Sequence, residues 1–80
     1  STAQVNSRSR KQDYVQARQV SMYLAQKYTK MPASRIGKLV GNRDHSTVIH
    51  SCAQVTKRLQ VDPLFTEELT TIENSFKLKN

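Results

Sequence analysis

Gly41-Asn42-Arg43-Asp44-His45-Ser46-Thr47-Val48-Ile49-His50 joins a turn signal, a helix N-cap and a cluster of groups able to read nucleic acid. Gly41 follows the short apolar run Ile36, Leu39, Val40 and can take the positive φ that ends a helix, a conformation that costs any residue with a side chain more. Asp44 can then accept from the free backbone N–H groups of a new helix, which leaves His45, Ser46 and Thr47 in its first turn with Val48 and Ile49 behind them. Two helices joined by a turn of about three or four residues containing Gly form a helix-turn-helix, whose second helix presents its N-terminal side chains to the major groove. The stretch implies a DNA-binding module.

Upstream of it, a helix is expected to begin around Asp13 to Val15, with Ala17, Val20, Leu24 and Tyr28 at 3.6-residue spacing and Met22, Tyr23 and Ala25 widening the stripe. Arg18, Gln19 and Lys27 are left as its outward polar groups. Residues 1–9 read as a polar segment, the trimmed end of a larger protein, and residues 10–80 as the domain proper. Arg8-Ser9-Arg10-Lys11 reads as a basic loop suited to the minor groove, whose narrow, negative stretches attract Arg most strongly. Pro32 stops the first helix, and a short second helix is expected over Ser34 to Val40 with Ile36, Leu39 and Val40 as its core face. Gly37 inside it weakens the helix by about 1 kcal/mol relative to Ala, which makes sense where another backbone comes close.

Downstream, Val48, Cys52, Val55 and Leu59 form one apolar seam and Phe65, Leu69, Ile72 and Phe76 another. Between them Asp62-Pro63 supplies an N-cap and a first-turn Pro, so the two helices are expected to form an antiparallel hairpin. The fold class is all-α, a small helical domain with a helix-turn-helix and a C-terminal helical hairpin. Cys52 has no second Cys to bridge to and reads as a small core residue.

The net charge of +7 is unevenly placed. The first forty residues carry eight Lys and Arg against Asp13 alone, whereas the second forty carry five against five carboxylates. An asymmetric basic field points to a polyanion, and the alternative is a basic module docking an acidic protein partner. Nothing in the chain resembles a signal peptide or approaches the roughly 20 apolar residues of a membrane span, so a soluble, cytoplasmic protein is expected.

At the start of the second helix-turn-helix helix, the Asp44 carboxylate can accept from a base amino group or cap the helix, roles that compete for its two oxygens. His45 offers a ring edge to a base or a thymine methyl, and the Ser46 and Thr47 hydroxyls can serve bases or phosphate. Asn42 and Arg43 in the turn suit the backbone, as do Arg18, Gln19 and the cation Lys27. Asp44, His45 and Ser46 are no hydrolase triad, because consecutive helical residues diverge by about 100°. His45, His50 and Cys52 lack the helical spacing of a metal site, so neither enzyme activity nor a metal is implied. RNA fits less well, since an A-form major groove is too narrow for a helix.

Gly-x-Arg-Asp-His-Ser-Thr-Val-Ile-His at 41–50 resembles the signature of the origin-binding C-terminal domain of the bacterial replication initiator (DnaA) family, and Ala17-Arg18-Gln19-Val20-Ser21-Met22-Tyr23-Leu24-Ala25 resembles that domain's first long helix. With Arg35-Ile36-Gly37 between them, the likeness runs from about Arg8 to the end. It implies recognition of box sequences in duplex DNA at a replication origin on the nucleoid. Asp44, His45 and Ser46 would read bases, Arg10 or Lys11 would enter the minor groove, and Arg18, Gln19, Arg43 and Thr47 would clamp phosphates. Where the family often has Pro, this chain has Ser34. The likeness also implies an ATP-hydrolysing domain and contacts with further initiator copies, both outside these residues; no Gly-x-x-x-x-Gly-Lys-Ser/Thr loop and no cofactor site is present in the sequence.

Overall fold

A computed structural model of the chain describes the backbone of residues 2–78 and the side chains of residues 11–75. Among the described residues four helices follow one another: α1 over Thr2–Tyr28, α2 over Ala33–Leu39, α3 over His45–Val61 and α4 over Pro63–Leu78. Helix α3 is central and packs against each of the other three.

Helix α1 begins well before the expected start, and the boundary placed after Ser9 falls inside it. No Pro or Gly interrupts residues 2–28, and the Ala, Gln, Arg and Lys between Ala3 and Gln12 are good helix formers, so polarity alone made this stretch look like a loop. The helix closes on Thr29, whose N–H still reaches the Ala25 carbonyl at 3.0 Å and whose Oγ1 accepts the Met31 N–H at 3.2 Å. Helix α2 starts on Pro32, whose carbonyl accepts the N–H groups of Arg35 and Ile36 at 3.0 and 3.1 Å.

Two apolar clusters fill the interior. Met22 of α1, Ile36 of α2, and Val48 and Cys52 of α3 meet in the first, flanked by Tyr23, Ala25, Met31, Ala33 and Val40. Met22 is fully buried, deeper than the Ala17 to Tyr28 stripe it was expected only to widen, and Ala17 itself is exposed. Val55, Phe65 and Leu69 form the second, with Leu59 and with Val20, Tyr23 and Leu24 of α1 against them. Cys52 is a buried free thiol, pushed up in pKa by that burial, as a core residue should be.

The hairpin of α3 and α4 turns on Asp62 alone. Its N–H donates to the Arg58 carbonyl at 2.9 Å and closes α3, while Oδ1 accepts the Phe65 N–H at 3.1 Å and opens α4. Because one residue separates the helices, their shared seam stays near the corner, at Val55 and Leu59 against Phe65 and Leu69. Ile72, expected to extend it, is 48% exposed and lines a groove with Val20 and Leu24 of α1; Phe76 lies outside the described side chains. Leu39, expected in the α2 core face, is also exposed, because α2 buries only Ile36 and Gly37.

Candidate nucleic-acid interface

Helices α2 and α3 are held together at Gly37. Arg43 donates its N–H to the Gly37 carbonyl at 2.6 Å, and a Cβ on Gly37 would overlap the Arg43 carbonyl oxygen. Between the helices Val40 caps α2, then Gly41 and Asn42 take positive φ of 79° and 51° in succession. Gly accepts such a φ without strain and Asn is among the residues that tolerate it best, which explains both identities in the turn. The connection spans Val40 to Asp44, caps included.

Asp44 caps α3. Its Oδ1 accepts the Thr47 N–H at 3.0 Å and the Thr47 hydroxyl at 3.1 Å. Those bonds, the backbone one first, hold the Asp44 carboxyl below the usual carboxylate range, so it is ionised at neutral pH. Both cap bonds fall on the same carboxylate oxygen, Oδ1. The Thr47 hydroxyl donates its one hydrogen to Asp44, so a phosphate would have to draw that hydrogen away.

His45 and Ser46 are exposed at the helix start, and Asn42 and Arg43 are exposed beside them in the turn. Val48 and Ile49 part company: Val48 is buried, whereas Ile49 is 54% exposed one turn after His45. His50, one turn after Ser46, is exposed too. Neither Ile49 nor His50 stood among the expected site residues. The signal was available, because the stripe through Val48, Cys52 and Val55 turns position 49 about 100° away from the core.

Arg18 of α1 reaches this turn. Its Cδ and the Arg43 Cγ and Nε converge on Gly41, at 3.0, 3.6 and 3.6 Å from where a Cβ would stand, so two arginine side chains flank one turn residue. Arg18 also lies over the Tyr14 ring at 5.9 Å. Gln19 is not part of this cluster. It lines a separate groove with Lys11, Gln16 and Arg58, where Arg58 donates to Gln16 Oε1 at 2.7 Å.

The surroundings of Lys27 and of the segment Arg8 to Lys11 differ from those of the turn cluster. Lys27 donates to Glu73 of α4 at 2.8 Å, a bond that raises its pKa, and lies over the rings of Tyr23 and Tyr28; Tyr28 donates to the same Glu73 oxygen. It braces α1 on α4 and does not join Arg18 and Arg43. The segment Arg8 to Lys11, expected as a basic loop, is about one turn of α1. Lys11 is exposed, and the side chain of Arg10 lies outside the described residues.

Among the described residues no group of His, Cys, Asp and Glu is placed to hold a metal ion, and no helix is long and apolar enough to cross a membrane.

The family model for the bacterial dnaA protein helix-turn-helix matches residues 1–55. Among curated proteins, the chromosomal replication initiator protein DnaA of Bacteroides thetaiotaomicron is 48% identical over 94% of this chain, and that of Bacteroides fragilis 46% identical over 95%. The same protein from Porphyromonas gingivalis is 46% identical over 88%. The chain spans only 16%, 16% and 15% of those three relatives. No solved structure matches it.

Proposed function

This chain belongs to the bacterial DnaA helix-turn-helix family, and on that premise we propose that it binds box sequences in double-stranded DNA during initiation of chromosome replication. The observation that carries the proposal is the start of α3: Asp44 caps it through Oδ1, His45 and Ser46 stand exposed on its first turn, and Arg18 and Arg43 flank the turn that leads into it. A helix N-terminus bearing hydrogen-bonding side chains, set between cations, suits a major groove walled by phosphates.

In this reading Asp44, His45 and Ser46 meet base edges. Arg18, Asn42 and Arg43 meet the backbone, and Thr47 either joins them or serves only the cap. Lys11 and Gln19 line the groove of α1 with Arg58, and in this reading Arg10 or Lys11 meets the neighbouring minor groove. ATP-dependent chemistry and contacts between initiator copies belong to the rest of the whole protein, which works on the nucleoid in the cytoplasm.

Competition between a duplex carrying an origin box and a shuffled duplex tests the reading. The box is expected to win by a wide margin, since specific binding is typically about a thousandfold or more tighter than non-specific binding. Equal competition would remove sequence recognition. Failure to bind either duplex, with binding to an acidic protein instead, would turn the basic surface into a protein-docking face.

A further inference from the structure

Between Tyr14 and Arg43 the chain has no carboxylate and six cations, Arg18, Lys27, Lys30, Arg35, Lys38 and Arg43. Lys27 is engaged by Glu73, and Arg18 and Arg43 belong to the turn. Besides Lys30 in the connection before α2, Arg35 and Lys38 remain, on a helix whose inner side is Ile36 and Gly37. They stand three residues apart, so they share the outer face of α2, and both are exposed. The two ion pairs among the described residues involve neither.

Their place relative to the turn is fixed. Gly37, lying between them in the helix, is bonded to Arg43, so α2 cannot shift along α3 without breaking that backbone contact. Leu39, 64% exposed, lines the shallow groove with Ser34, Arg35 and Lys38 and also the one with Tyr14, Arg18 and Gly41. The cations of α2 and those of the turn are therefore parts of one continuous surface. In a helix-turn-helix the first helix crosses the DNA backbone while the second enters the groove.

We propose that Arg35 and Lys38 on the outer face of α2 are a second phosphate-holding site, gripping the sugar-phosphate backbone of the duplex whose major groove α3 enters. The site rests on the DNA-binding reading and extends it beyond the start of α3. Two point charges on exposed stems neutralise phosphates without selecting bases, so they add affinity and register but no sequence preference.

The test compares the chain with Arg35→Ser, Lys38→Ser and the double variant on box and shuffled duplexes over a salt series. Each phosphate no longer neutralised takes about 0.9 off the slope of log K against log[salt], so the double variant is expected to be shallower by about 1.8 on both duplexes, with the box-to-shuffled ratio kept. Melting should be unchanged, since both side chains are exposed and outside the ion pairs. Lys27→Gln, which removes one charge beside α4, should leave the slope close to that of the parent. An unchanged slope in the double variant, a slope in Lys27→Gln as shallow as in the single α2 variants, or an effect confined to the box would overturn the proposal. A parent chain that binds neither duplex would instead overturn the DNA-binding reading itself.

Discussion

Gly37 and Arg43 are joined backbone to backbone, the Arg43 N–H on the Gly37 carbonyl at 2.6 Å, with Arg43 C and Asp44 O at 3.0 and 3.1 Å from where a Gly37 Cβ would stand. Gly37→Ala therefore sets two effects against each other. The helix gains about 1 kcal/mol of propensity, while a forced overlap in a packed site costs typically about 1 to 3 kcal/mol. The obstacle is a carbonyl, not a pliable side chain, so the cost should prevail. A lower melting temperature is expected, together with weaker binding to box and shuffled duplex as the turn carrying Arg43 and Asp44 is displaced. A variant that melts higher and binds normally would show that the contact places nothing.

That contact was legible in the sequence as a glycine a helix would rather not have, and so was the turn, from Gly41, and the cap, from Asp44. Less legible were features that depend on how helices are aimed. Leu39 and Ile72 fit their apolar stripes by spacing, yet a seven-residue helix buries only Ile36 and the side-chain-less Gly37, and a one-residue corner lets α4 leave α3 early. Lys27 and Gln19 looked alike as outward polar groups, because nothing in a single chain tells which neighbour a helix face will meet. Glu73, 46 residues away, decides for Lys27.

Base reading and backbone holding should separate by substitution. His45→Ala is expected to lower the box-to-shuffled ratio about tenfold or more, since a single base-reading side chain typically supplies discrimination of that order. Asp44→Asn keeps a good N-cap but exchanges an acceptor carboxylate for an amide, so it should shift base preference with little change in melting. Arg18→Ala should weaken both duplexes alike. Should Arg18→Ala spare the shuffled duplex, or His45→Ala leave the ratio intact, these roles are wrongly assigned.

The corner between α3 and α4 should carry a large part of the stability. Phe65 and Leu69 are 4% and 1% exposed, and truncating either to Ala is expected to cost about 2 to 5 kcal/mol, a large share of what a small domain has. Ile72→Ala, at a site 48% exposed, should cost much less. Denaturant titration of the three variants checks the order. Ile72→Ala matching Leu69→Ala would mean that the groove of Ile72, Val20 and Leu24 is closed in solution.

Acid should weaken the fold through its two helix caps. The Asp62 carboxyl is held below the usual carboxylate range by the Phe65 N–H first and the Arg58 side chain second, and Asp44 likewise by the Thr47 N–H and hydroxyl. A carboxyl whose pKa falls on folding adds stability that is fully present above its unfolded value, near about 3.9, and is lost as pH drops through the lower folded value. The caps should therefore be insensitive to pH between about 7 and 5 and should fail below about 4. Asn at both positions retains a capping oxygen but has no proton to gain. The melting temperatures of the parent and of Asp44→Asn/Asp62→Asn are thus expected to differ by a constant amount above about pH 5, with the parent losing ground to the variant as pH falls below about 4. A gap that stayed constant down to about pH 2 would mean that neither carboxylate is stabilised by its helix, and that the caps hold these termini equally well with either proton state.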